Sequence, residues 1–415
     1  MNLSIFDIPL LKDGVTQYLS KRDLTHCVLT CKEWFEWFTP TLWSTVDFSH
    51  ISLITPEELS ALSRHQDHVL SIMGLQRYMA QFSDAQRQFR NLQSLYYTPS
   101  WASPLEDSVL LVFSLPRLRK LDLTCYQIAS SIAVQQIIQT CSRFECLRLN
   151  LGNGIRTPGN GWDIGEEERE QCKSVQVTME QMEDSQIREL GIRLSLAIQE
   201  RAILLPLLER CPLLERLELK WLHDPQTLPQ IIDILQARKC PRLKHVRVSS
   251  IVRSDAGEES VAGLIQALGY DGGDHEGSRD GGLGGLESFT VEAILPFERR
   301  CVQALIRCHA RTLTVLDVMS LRQMKFEFFV GLVRGLPRLQ SLKAAVWIWL
   351  RPDANADIDE ALQTQWACLG LKELEIGLQM GDDVAIDSNH RAGNGSLADP
   401  RKAGSTGRLE ADELG

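Results

Sequence analysis

The sequence has no excess of positive charge, no long apolar run and none of the residue constellations that most enzymes need. Its 44 Lys and Arg are outnumbered by 54 Asp and Glu, a formal charge of -10. That balance argues against non-specific binding to nucleic acid or to an anionic membrane surface. The most apolar stretches, Val109–Leu115 and Ile203–Leu208, are far shorter than the roughly 20 residues a membrane-spanning helix needs. The opening MNLSIFDIPLLKD has no basic stretch ahead of a long apolar core, so a secretory signal is not expected. No GxxxxGK[ST] phosphate loop is present. The glycines of 269–285 neither follow a predicted strand nor open a helix, as a dinucleotide fingerprint requires.

What the sequence does contain is a repeat. The pattern apolar-x-x-apolar-x-apolar recurs at Leu118/Leu121/Leu123, Leu214/Leu217/Leu219, Leu313/Leu316/Val318 and Leu371/Leu374/Ile376. Looser copies centre on Leu95, Leu147, Leu190, Val246, Phe289 and Leu342. Successive centres lie 26, 26, 43, 27, 29, 43, 27, 26 and 32 residues apart, and each gap of 43 holds an insertion, near 152–186 and 269–285. A fixed period of this length is the mark of a stacked architecture, in which each unit buries its apolar side against the next.

The surroundings of each copy repeat as well. Six residues before the centre stand Leu115, Cys141, Cys211, Cys240, Leu283, Leu336 and Cys368, and Pro116, Pro212, Pro241 and Pro337 follow four of them. Proline lacks an N–H and restricts its predecessor, so it stops the helix-like segments upstream, such as Ser195–Arg210 and Leu228–Arg238. Each unit is therefore expected to run strand, turn, helix, proline stop. Cysteine alternating with leucine at one register behaves as a small buried hydrophobe.

Residues 5–43 carry two capping-box patterns, Ser20-x-x-Asp23 and Thr30-x-x-Glu33, and a proline at Pro9. These predict three short helices, the first over Pro9–Leu19 and the others starting near 20 and 30. The third holds Trp34, Phe35, Trp37 and Phe38, apolar on more than one side. So small a bundle buries too little to be stable alone; either the repeats cover the surplus or a partner protein does.

The copies resemble leucine-rich repeats of the cysteine-containing kind found in many F-box proteins, over roughly residues 89–380. The resemblance implies an α/β leucine-rich-repeat solenoid, with a parallel sheet on the concave face and helices on the convex face. Residues 1–48 resemble the F-box, by which substrate receptors dock the Skp-type adaptor of cullin ubiquitin ligases. Ile8-Pro9 stands for its Leu-Pro, Tyr18-Leu19 for its helix-end Tyr-Leu, and Asp23-Leu24 for its Asp-Leu pair. Cys31, Lys32 and Trp34 fall on its Val-Cys-Arg-x-Trp element, with Thr30 in place of the valine. The adaptor-binding residues so implied are Ile8, Pro9, Leu19, Leu24, Cys31 and Trp34. Residues 49–88 read as a linker or an N-terminal capping repeat around Val69–Ile72, and 381–415 as a disordered tail rich in Gly, Asp, Asn and Ser.

Side chains alternate along a strand, so residues flanking each centre point away from the core. Arg148, Arg193, Lys220 and Arg247 then fall on nearby strands about 4.8 Å apart and could meet an acidic or phosphorylated peptide. Glu189 and Glu218 lie among them, as on any solvated face. Eleven cysteines, an odd number without an export signal, read as reduced thiols in the cytosol or nucleus. Cys27 and Cys31 have no second pair at zinc spacing. His65-x-x-His68 and Asp274-His275-Glu276 offer no nucleophile with a base and an orienting group. The expectation is a binding protein: no enzyme, no cofactor, no metal, no nucleic acid and no membrane. Its partners would be an adaptor and an unknown protein substrate. The rival expectation is a repeat scaffold with no ligase role, its N-terminal helices capping the first strand.

Overall fold

In the computed structural model the described residues are 9–49, 54–74, 89–98, 115–125, 137, 143–151, 184–193, 203–220, 226–249, 258–269, 285–292, 297, 299–319, 324–349, 366–381 and 407–410. They fall into two compact units, Met1–Ile187 and Arg188–Gly415. Both are α/β and both are built on parallel strands, thirteen in all. Among the described residues no helix is long and apolar enough to cross a membrane.

The first unit opens with α1 (Pro9–Thr16), α2 (Lys21–Thr30) and α3 (Lys32–Trp43). Strand β1 (Thr45–Asp47) follows, then α4 (Pro56–His65) with a 3-10 turn over Gln66–His68. Four further strands complete it: β2 (Ser71–Met73), β3 (Ser94–Tyr97), β4 (Lys120–Cys125) and β5 (Cys146–Leu151). These five run parallel, with Val46, Ile72, Leu95, Leu121 and Leu147 in one register.

The second unit continues the scheme with β6 (Glu189–Arg193), α5 (Leu205–Glu209), β7 (Arg216–Lys220), α6 (Thr227–Gln236) and β8 (His245–Val248). Next come α7 (Glu258–Ala267), β9 (Ser288–Val291), α8 (Arg299–His309) and β10 (Val315–Val318). The unit ends with β11 (Met324–Lys325), α9 (Phe326–Gly335), β12 (Ser341–Trp349) and β13 (Glu373–Gly381). Leu190, Leu217, Val246, Phe289, Leu316, Leu342 and Leu374 share one register across its parallel ladder. Within the tail, Gly407–Glu410 form β14, antiparallel to β13.

Every central position predicted from the sequence is thus the second residue of a strand, paired with the equivalent residue of its neighbour within each unit. The reason is local. Alternate residues are buried, as in the exposed-buried-half-buried-buried-half-buried order of β7, so a one-residue slip would turn the leucines to water. A second regularity fixes the stacking. One carbonyl per unit accepts two consecutive N–H groups of the next: Arg188 O from Glu215 and Arg216, Glu215 O from Lys244 and His245, Lys244 O from Glu287 and Ser288. The same fork recurs from Ser44 O to Gln340 O.

The turn before each strand is equally regular. The residue six before the centre is buried in Phe89, Leu115, Cys211, Cys240, Leu336 and Cys368, and its carbonyl accepts the N–H three residues on. Prolines 116, 212, 241 and 337 sit in these turns, as their missing N–H demands. The unit centred on Leu316 departs from the rule. Its turn is one residue longer, and His309 fills the site, fully buried. His309 Nδ1 accepts from Leu286 N at 3.1 Å and its Nε2 lies 2.8 Å from Ile265 O. The carbonyl requires the proton on Nε2, so one neutral imidazole joins α7, α8 and the start of β9.

Several expectations need correction. Strand β1 begins the parallel ladder ahead of the predicted first copy, and of the two alternatives for residues 49–88 the strand Ser71–Met73 fits the capping repeat. The first helix ends at Thr16, and Tyr18 and Leu19 lie in the turn that follows, their N–H groups donating to Val15 and Thr16. Ser20 and Asp23 do form a capping box, but Thr30 does not. Its hydroxyl donates back to His26 O, and α3 starts from Cys31 without a side-chain cap. Thr30 closes one helix and is no longer available to open the next.

Candidate functional site

Two surfaces carry the residues singled out in the sequence. The first is the helical segment. Helix α2 packs on α3, burying Leu24, Phe38 and Thr39, and Trp34 meets Phe38 edge to face at 5.7 Å. Helix α3 is also tied to the first strands' neighbourhood. Trp43 stacks on His65 at 4.7 Å, with Phe35 and His68 at 6.4 and 6.3 Å from the same imidazole. Lys21 Nζ donates to Thr45 O at 2.8 Å, fastening the start of α2 to β1. Burial, together with the nearby His68 and the Arg64 guanidinium, holds the His65 imidazole below its ordinary value, which suits a ring stacked on tryptophan.

The other sides of these helices are uncovered. Tyr18 is 89% exposed and Leu29 78%, and Leu11, Val15 and Phe35 are exposed as well. Leu11 and Val15 are four residues apart on α1, the spacing of one helix side, and Tyr18 stands in the turn that follows. Of the residues that the F-box resemblance implies, Leu24 is buried at 4%, Trp34 and Leu19 are half-buried and Cys31 is exposed. Ile8 and the side chain of Pro9 lie outside the described residues. Periodicity within α1 was the signal for Leu11 and Val15. Leu29 had none, since a terminal leucine of a short helix reads equally well as core.

The second surface is the sheet face whose side chains alternate with the core. Arg148 lies on β5 in the first unit, 3.9 Å from Asp122. Arg193, Lys220 and Arg247 lie on β6, β7 and β8 of the second. Arg193 faces Lys220 in register, and Arg247 faces Glu218. Glu218 draws both neighbours, with Lys220 at 3.0 Å and Arg247 at 3.5 Å, and Arg247 also pairs with Glu292. The Glu292 hydrogen bond raises the already high pKa of Arg247 further, and Glu218 and Asp317 act the same way. Arg216 lies 3.5 Å from Glu189. On the far strands the polarity reverses. Lys343 reaches Glu373 and Glu375, both at 3.2 Å, and Ser341 donates to Glu373.

Among the described residues the cysteines do not form a site. Cys211, Cys240, Cys301 and Cys368 are buried, and Cys240 Sγ donates to Leu208 O at 3.4 Å. Burial pushes its thiol up to about 12, the reverse of what a reactive thiolate needs. Cys141 lies outside the described residues, as do Asp274, His275 and Glu276. Among the described residues no three His, Cys, Asp or Glu side chains are grouped to hold a metal ion.

No family model matches the chain. Among solved structures it is similar to one described as the crystal structure of the Rad7 and Elc1 complex in yeast. The two are 15% identical, the likeness covers 81% of this chain and 79% of that one, and the TM-score is 0.49.

Proposed function

We propose that the chain is a leucine-rich-repeat solenoid behind an F-box-like segment and serves as the substrate-recognition subunit of a cullin-type ubiquitin ligase. The N-terminal helices dock a Skp-type adaptor, and the outward sheet face selects a protein. The chain performs no chemistry itself; it raises the effective concentration of a substrate near a partner enzyme. The observation that carries this reading is the exposure of Leu11 and Val15 on α1, Leu29 on α2 and Tyr18 in the turn between them, ahead of a ladder of repeats. Helices serving as a cap alone would turn their large apolar side chains inward, because leaving them in water forgoes about 1.5–3 kcal/mol each.

The contacts of α3 with His65 and of Lys21 with Thr45 favour a second reading, a repeat scaffold whose helices cover the exposed first strand. A pull-down of the full chain with a purified Skp-type adaptor separates the two. Under the receptor reading the wild type binds and a Tyr18→Asp/Leu29→Asp variant loses at least roughly tenfold in affinity, with an unchanged circular dichroism spectrum. Failure of the wild type to bind would leave the scaffold.

A further inference from the structure

The outward face of the second unit is sorted by charge along the strand order, and we infer that it docks an extended peptide carrying an acidic block and a basic block about 20 Å apart. This names the substrate class of the proposed receptor and rests on that reading only in assuming that the sheet face binds a protein.

The charges share partners in opposite ways at the two ends of the face. At β7–β8 one carboxylate, Glu218, sits between two cations, Lys220 and Arg247, and Arg193 stands beside Lys220 in register. At β12–β13 the arrangement is inverted, with one cation, Lys343, between two carboxylates, Glu373 and Glu375. The described charges one before, one after and three after the strand centres follow suit. On β6–β8 four cations face two carboxylates, and on β9–β13 one cation faces four carboxylates. These groups stay in contact with water. Arg247 is half exposed, and Glu373 and Glu375 are about two-fifths exposed.

Ion pairs on such a face contribute little to stability, and like charges in register on adjacent strands weaken it. Among the described in-register charged pairs of β6–β13 only Arg193–Lys220 is of like sign, while Glu189–Arg216, Glu218–Arg247 and Lys343–Glu375 are of opposite sign, so the excess of each sign at its end does little for the fold. It does create a field of two signs, and such a field selects partners by complementarity and rejects those of the wrong order. From β7 to β12 there are four strand spacings, close to 19 Å. An extended chain covers that distance in about 6 residues. A uniformly acidic ligand would satisfy the β6–β8 end and be repelled at β13, so the occupant must carry both signs.

The test is fluorescence anisotropy of the full-length chain, without adaptor, against labelled synthetic peptides at low and high salt. One peptide has an acidic and a basic block about 6 residues apart centre to centre; the second has the same composition in alternating order; the third is uniformly acidic. The block peptide is expected to bind at least roughly tenfold more tightly than either, and to weaken with salt. Glu373→Lys/Glu375→Lys should lose the block peptide and gain the acidic one. Adding Arg193→Glu/Lys220→Glu to that variant should restore the block peptide, which can bind turned end for end. Equal binding of block and alternating peptides, preference of the wild type for the acidic peptide, or no binding to any of them would overturn the inference. Because no adaptor is present, the result is independent of whether the N-terminal helices dock one.

Discussion

His309 shows how much one side chain can be asked to hold. Where neighbouring units place leucine or cysteine, this unit places an imidazole with both nitrogens engaged to backbone groups. His309→Leu restores the residue type of the other copies yet strands a buried N–H and a buried carbonyl. We expect a loss of about 2–4 kcal/mol, read as a lower urea midpoint. The same geometry gives a pH dependence. Burial holds the ring below its ordinary 6.5, so as pH falls the unfolded chain takes up the proton first. The neutral ring's contribution is complete above that value and is lost progressively as pH falls below it. Burial lowers His65 and His245 in the same direction. Urea midpoints should therefore drop between pH 7.5 and 5.5, and by less in His309→Leu than in the wild type. The buried thiols make a further residue-scale test. A thiol reagent should modify Cys31 in the native chain, while Cys211, Cys240, Cys301 and Cys368 react only on unfolding. Fast modification of Cys240 in the folded chain would contradict its burial.

At the scale of elements, termini decide where each helix lies. Helix α4 is specified by a complete capping box, with Thr55 accepting from Glu58 N and Glu58 accepting from Thr55 N, and by a proline in its first turn. Thr55→Ala should cost about 1 kcal/mol, detectable as a shift in the urea transition followed by circular dichroism. Helix α3 begins without a side-chain cap and contains Pro40, so its stability must come from packing. Phe38, the stacking of Trp43 on His65 and the contact with α2 supply it. Gly74 marks the end of β2 for a different reason. Its φ is +72°, and an added Cβ would stand 2.4 Å from Ser49 N, so no other residue fits there without moving the backbone.

At the scale of the whole molecule, a formal charge of -10 says little about what the chain meets, because the charges are distributed unevenly. A surface of cations on β6–β8 and carboxylates on β9–β13 can select a partner that the net charge would not suggest. The apolar side chains of α1 and α2 are the other surface open to a partner. The adaptor pull-down and the peptide titration address the two surfaces separately, and neither outcome decides the other.

The repeat was legible in the sequence: the position of every central residue from Leu95 to Leu374, the prolines 212, 241 and 337 that follow helices, and the buried Cys211, Cys240 and Cys368 could be read there. Each is a local demand, repeated because every unit must present the same apolar edge to its neighbours. The Ser20 cap was legible for the same reason, since donor and acceptor are three residues apart. The rest depends on contacts between residues far apart in the chain. Thr45–Asp47 became a strand because Ser71–Met73 lies beside it, and Leu24 was buried while Leu29 was left in water because α3 covers one side of α2. The pairing of Arg247 with Glu292, forty-five residues on, and the sorting of charge into two ends depend on which strands become neighbours. Distances between charges on different strands are set by the stacking of units, and no short stretch of chain records them.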